Sequence, residues 1–220
     1  MSSPLEPVLV DEPLRERGAL SRVLLVLWHG AGGDVTERSL VALTEAARAA
    51  GALVVRARFP YRVAGKRAPD RMPTLLTSAR EAVETARAHP LAGGRRLVLG
   101  GRSMGGRVAS LLVADGLPAD ALVFLSYPLH PAGKPEKRRD EHLPRVACPM
   151  LFVQGDRDTL CDLDLLRGVL ARLGERAELA VFPGADHGMR RAKPEEIAAR
   201  VLEFLTRVLP AGGGRSRSRG

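Results

Sequence analysis

The sequence predicts an α/β domain: a mainly parallel sheet with helices on both faces. Short apolar runs alternate with segments of helical spacing from start to finish, the pattern of successive strand–helix–strand units. Residues 23–28, Val-Leu-Leu-Val-Leu-Trp, are apolar throughout, as a strand covered on both faces requires. The unusual loops all follow such runs, and parallel sheets bind ligands beyond the carboxyl ends of their strands.

Taken in order, the 23–28 strand ends in His29-Gly30-Ala31-Gly32-Gly33, a loop able to fold tightly. Helical spacing at Leu40, Leu43, Ala46 and Ala47 predicts a helix over 36–50, stopped by Gly51. A strand over 53–58 ends at Phe59-Pro60 and leads into a polar loop over 60–72. A helix over 73–89 starts behind Pro73 and stops at Pro90. The strand 97–100 runs into a turn at Ser103, and 104–114 reads as a helix. Strands follow at 121–125, 150–153 and 177–182, with helices over 162–173 and 194–208. No internal repeat is visible. Residues 1–210 read as one domain, and the Gly/Arg/Ser segment 211–220 as a disordered tail.

Composition narrows the classes of function. A chain of 220 residues, 45% hydrophobic and 27% charged, has ample material for one soluble core. No stretch approaches the roughly 20 apolar residues of a membrane span, and the first residues do not read as a signal peptide. Cys148 and Cys161 give neither a disulfide framework nor a metal cluster, so a reducing cytoplasm is expected, with no cofactor and no metal. The net charge of +9 falls to +6 without Arg215, Arg217 and Arg219 of the tail. What is left is spread along the chain with few aromatic platforms, so nucleic acid is not the expected partner. Gly30 and Gly32 follow a strand as in a dinucleotide turn, but Val35 stands where the third glycine belongs.

Gly101-Arg102-Ser103-Met104-Gly105 carries the chemistry. As a bare pattern, Gly-x-Ser-x-Gly is expected about 0.1 times by chance in such a chain. Its position between a strand and a helix is what a nucleophile elbow needs: a strained Ser, with small neighbours two places either side. A serine hydroxyl needs a base to take its proton. Of five histidines, His89 reads as a surface residue, His142 lies in a charged run, and His130 lies in the loop 127–131. His29 ends the first long strand. His187, in Gly184-Ala185-Asp186-His187-Gly188, follows the last strand, where the chain order Ser, Asp, His places the base. The acid that orients it comes from Gly155-Asp156-Arg157-Asp158, whose Gly-x-x-Asp spacing favours Asp158 over Asp156. Asp156 otherwise reads as a turn residue, and Asp162 and Asp164 as helix-start residues. Oxyanion donors are expected from the Met104 amide and from Ala31, with Gly32 next.

His-Gly loop, Ser elbow, Gly-x-x-Asp and Asp-His-Gly in this order resemble the α/β-hydrolase superfamily, in its dienelactone-hydrolase-like branch. Segments 100–106, 126–130 and 138–143 further resemble the testis-expressed protein 30 family and its bacterial relatives, over about residues 20–208. The resemblance implies an α/β-hydrolase fold without a cap domain, and no known substrate. Dienelactone hydrolases have Cys at the elbow where this chain has Ser103; Cys161 reads as a buried residue at a helix start. The 23 residues between Leu125 and Pro149 are too few for a helical lid, so an open site is expected. His29, Tyr61, Arg62, Tyr127 and His130 are the candidate substrate-binding residues, with Lys66, Arg67, Lys134 and Lys137 adding positive charge. The expected activity is hydrolysis of an ester or thioester of a small acyl substrate. The alternative is a non-catalytic binding or scaffold protein on the same fold. Oligomeric state is open.

Overall fold

Strand β2 (Val23–Trp28) is buried at all six positions because helices cover both faces of the sheet. The computed structural model describes residues 5–210, and the expected tail lies outside the described residues. The other strands are β1 (Val8–Asp11), β3 (Leu53–Ala57), β4 (Arg96–Arg102), β5 (Ala121–Leu125), β6 (Met150–Gly155) and β7 (Ala177–Phe182). They form one sheet in the order β1-β3-β2-β4-β5-β6-β7. Only β1 runs antiparallel, paired with β3.

The side-chain alternation of a strand divides the core in two. Leu24, Val26 and Trp28 join the apolar cluster under α3 (Met72–Ala88), α4 (Met104–Ala114) and α5 (Leu163–Leu173). Val23, Leu25 and Leu27 join the cluster under α1 (Arg38–Ala49) and α6 (Pro194–Val208). Strand order reverses between β2 and β4, so the loops leaving these two strands diverge and open a crevice between them. Those loops are the Gly30–Gly33 turn and the Ser103 turn.

Two elements differ from expectation. β1, Val-Leu-Val-Asp, is not among the expected strands: its apolar run is only three residues long, and it is made by pairing with β3 from Val8↔Ala57 to Asp11↔Val54. The polar loop after β3 begins with one helical turn, α2 (Pro60–Val63), where proline suits the first helical position. In addition, β4 and β6 run two residues further than apolarity suggests, because pairing continues through Arg102↔Leu125 and Gly155↔Phe182. No helix among the described residues is long and apolar enough to cross a membrane.

His142, expected only as part of a charged run, is buried, with Nε2 2.7 Å from Ser110 Oγ of α4. Burial, with Arg107 and Arg145 nearby, pushes its imidazole down to about 4. An unfolded histidine titrates near 6.5, so on acidification the unfolded chain takes the proton first. The stabilisation is complete above about pH 6.5 and is lost as pH falls toward 4. Acidification across that window is expected to remove about 3 kcal/mol. Urea midpoints of wild type and His142→Gln at several pH values check this. The variant's curve should be flatter between pH 6.5 and 4.5.

Candidate active site

The turn from β4 into α4 holds Ser103 at φ 49°, ψ −113°, a conformation a non-glycine residue adopts only under constraint. Strain of this kind is worth about 1–3 kcal/mol and is kept where surrounding structure enforces it. The constraint is visible. Ser103 N–H donates to Leu125 O at 2.9 Å, and Arg107 N–H donates to Ser103 O at 3.1 Å. A Cβ on Gly101 or on Gly105 would overlap the Trp28 carbonyl of β2. Both glycines therefore exist for close passage of the elbow over β2.

His187 follows β7 in a loop tied to the Asp158 loop. Arg157 N–H donates to Ala185 O at 2.9 Å, and Gly184 N–H donates to Asp156 Oδ1 at 2.6 Å. A Cβ on Gly155 would overlap the Ala185 carbonyl, so glycine at the end of β6 lets the two loops meet. The result is a continuous chain: Ser103 Oγ lies 2.9 Å from His187 Nε2, and His187 Nδ1 lies 2.8 Å from Asp158 Oδ2. An ionised carboxylate only accepts, so Nδ1 carries the proton and Nε2 accepts from the serine hydroxyl. The Asp158 carboxylate is fully buried and accepts twice more, from Leu160 N–H at 2.8 Å and from Gln154 Nε2 at 2.5 Å. Asp156 serves the loop backbone and does not touch His187. Asp162 caps α5 by accepting from the Asp164 and Leu165 amides.

The turn after β2 lies against the nucleophile: a Cβ on Gly30 would sit 3.5 Å from Ser103 Cβ. Gly33 N–H closes it onto Gly30 O at 3.1 Å. No backbone carbonyl among the described residues engages the Ala31 or Gly32 amide. Met104 is the first residue of α4, and its amide has no intrahelical acceptor. Among the described residues these three amides have no backbone acceptor, and they belong to the two turns that meet at Ser103.

Several candidate substrate residues build this loop instead of facing a substrate. His29 is completely buried; its Nδ1 pairs with Gly30 O at 2.8 Å and its Nε2 accepts from Phe59 N–H at 3.2 Å. Burial lowers its proton affinity, which suits that acceptor role. Tyr61 is also buried and donates its hydroxyl to Ala31 O at 2.8 Å, its phenol pushed up to about 12 by burial. Tyr127 does not line the site. It is wholly buried against Phe124 and Phe152 and donates to Arg139 O at 2.7 Å. His130 is likewise a brace: Nδ1 pairs with Pro131 O at 2.9 Å, and Nε2 accepts from Asp162 N–H at 2.9 Å. Arg62 is half-buried, the other four being buried, and its guanidinium lies 3.9 Å from Asp34. Lys66, Arg67, Lys134 and Lys137 are exposed. Cys161 is buried, its thiol pushed up to about 12 by that burial.

Two site residues have no sequence signal that singles them out. Arg102, the variable position of the elbow, pairs through Nε with Glu37 Oε1 at 2.6 Å and donates from Nη2 to His187 O at 2.5 Å. It thus joins the elbow, the segment after β2 and the histidine loop. Burial raises the Glu37 carboxyl above its usual range against the pull of Arg102. The other is Gln154, inside β6.

Comparison with known proteins agrees with this architecture. A family described as the alpha/beta hydrolase domain matches residues 21–204. Among solved structures, an α/β serine hydrolase without a lid from Xanthomonas campestris superposes with a TM-score of 0.73 at 24% identity, over 94% of this chain and 90% of that one. Est1E from Butyrivibrio proteoclasticus, with ferulic acid bound, gives 0.74 at 20% identity, over 91% and 94%. An α/β serine hydrolase homologue from Coxiella burnetii gives 0.69 at 19%, over 92% and 90%. At these identities the structures speak for the fold. The family match spans most of the chain, and with it the elbow and both loops that meet there: the protein belongs to the alpha/beta hydrolase domain family.

Proposed function

We propose that this protein is a serine hydrolase that cleaves an ester or thioester of a small acyl substrate. The unbroken chain of hydrogen bonds from Ser103 through His187 to Asp158 carries the reading. In this mechanism Ser103 Oγ attacks the acyl carbonyl carbon as its proton passes to His187 Nε2. Buried Asp158 stabilises the imidazolium. The oxyanion accepts from the Met104 amide and from Ala31 or Gly32. The imidazolium then protonates the departing alcohol or thiol, leaving an acyl group on Ser103. Water attacks that acyl group, giving its proton to His187, and the carboxylic acid leaves with Ser103 restored.

Ester chemistry draws support from the Est1E neighbour and from an esterase domain of a Rhodothermus marinus protein, similar over 90% of this chain with a TM-score of 0.64. The resemblance to dienelactone hydrolases and to the testis-expressed protein 30 family fits the same reading. It rests partly on Tyr127 and His142, which are buried, so it speaks for shared packing more than for substrate. Both cysteines are free thiols, which fits a cytoplasmic, reducing setting.

Labelling with a fluorophosphonate probe tests the reading. Wild type should be modified on Ser103, located by mass spectrometry, while folded Ser103→Ala and His187→Ala remain unlabelled. A folded wild type inert to this and to smaller serine-directed reagents would overturn it in favour of a non-catalytic scaffold.

A further inference from the structure

We propose that Gln154 is a positioning residue that sets how strongly the Asp158–His187 pair holds its proton. The activity arm of the test rests on the serine-hydrolase reading; the structural argument does not.

Gln154 sits one residue from the end of β6, paired with Val181, and is completely buried. The four residues before it, Met150–Val153, are apolar, and an apolar side chain would suit the sheet interior better than a primary amide. The amide makes one hydrogen bond, Nε2 to Asp158 Oδ2 at 2.5 Å, while its Oε1 is buried without a partner. Turning the amide over would place a carbonyl oxygen against a carboxylate oxygen, so the charge on Asp158 dictates the orientation. An unmet buried acceptor is a standing penalty, and among the described residues the contact with Asp158 is what offsets it.

That contact falls on the same oxygen that accepts from His187 Nδ1 at 2.8 Å. Oδ2 thus divides its charge between two donors, while Oδ1 is occupied by Leu160 N–H. A donor that draws charge from Oδ2 weakens the attraction of Asp158 for the imidazolium. With Gln154 in place, His187 stays neutral, and able to accept the serine proton, to lower pH. Without it, the full charge of Oδ2 falls on His187 and holds the imidazolium to higher pH. Other ionisable groups face the pair from several elements. Glu37 and Arg102 lie on the His187 side; Asp156, Asp162, Cys161 and His130 lie around Asp158. Substituting Gln154 leaves all of them in place, so their effects cancel between wild type and variant.

The test uses full-length protein with isotope-labelled histidine, following the His187 ring by carbon–proton NMR across pH, with His187→Ala supplying the assignment. Gln154→Met removes the donor at similar length. Its His187 midpoint should rise by about half to one pH unit, a three- to tenfold increase in imidazolium at a given pH. The acid limb of kcat/KM on an activated ester should move with it. Gln154→Leu also lacks the donor and is apolar throughout, so its midpoint should rise likewise. A His187 midpoint unchanged in folded Gln154→Met would overturn the proposal, leaving Gln154 a packing residue. Should that variant not fold, an unchanged midpoint in folded Gln154→Leu overturns it equally. If wild type shows no esterase activity and no labelling, the hydrolase reading falls, while a raised His187 midpoint still upholds the role of Gln154.

Discussion

Asp158→Asn is expected to lower kcat on an activated ester by about 10³- to 10⁴-fold with the fold retained. The size follows from counting donors. Three N–H groups, from His187, Gln154 and Leu160, converge on two carboxylate oxygens in a place closed to solvent. An amide offers one acceptor and one donor group. With its NH₂ at the Oδ2 position it meets both Gln154 and His187, and the histidine escapes only by moving its proton to Nε2. In that tautomer it cannot accept from Ser103. With its NH₂ at the Oδ1 position it opposes the Leu160 amide and restores the right tautomer, but the charge that stabilises the imidazolium is gone. Either orientation leaves a buried donor unmet, so a loss of about 1–3 kcal/mol in stability should accompany the kinetic loss. Steady-state kinetics with thermal unfolding measures both. A variant within tenfold of wild type in kcat would remove Asp158 from the proposed mechanism.

Gly105→Ala is expected to destabilise the protein by more than about 3 kcal/mol. Helix propensity alone points the other way, since alanine is favoured over glycine in a helix by about 1 kcal/mol. The added methyl would overlap the Trp28 carbonyl and stand 2.8 Å from His29 O. Those are main-chain atoms at the end of β2, an interior strand with β3 and β4 on either side, and they have nowhere to go. Gly168 in α5 is the matched control. A Cβ there meets nothing within 4 Å, so Gly168→Ala should be neutral or stabilising by up to about 1 kcal/mol. Circular-dichroism melts of the two variants decide the matter. Equal melting temperatures would show that the elbow tolerates a side chain at Gly105.

Burial on both faces is why most of the sheet could be read from the chain. β2, β5 and the apolar part of β6 carry no solvent-facing side and so show as unbroken apolar runs. β1 is mostly half-buried and held by its partner, and its apolar run is only the three residues Val8–Val10, too short to stand out. The site was legible wherever geometry demands a residue type: glycines beneath the elbow, and an acid and a histidine after successive strands. It was not legible where polarity alone had to serve. Tyr127 and His130 follow β5 just as the elbow follows β4, but their segment folds back on the sheet and buries them against Arg139 and Asp162. A hydroxyl or imidazole can serve a backbone group as well as a substrate, and sequence does not distinguish the two. Arg102 occupies a motif position that any residue can fill, and Gln154 lies in a strand interior where a polar residue reads as noise.

β1 contributes nothing to the chemistry, yet it decides what the sheet does at its rim. Every residue of β3 but Arg56 is buried. If its outer edge were bare, its amides and carbonyls would offer a template on which a second chain could pair. β1 occupies that edge, bound by Arg56 to Asp11 at 2.8 Å and by Arg58 to the Glu6 carbonyl at 2.7 Å. The opposite rim, β7, is shielded by charge, with Glu178 paired to Arg200 and Arg207 of α6. The strongly apolar parallel strands thus end on a short, half-buried strand at one rim and on an ionic fringe at the other.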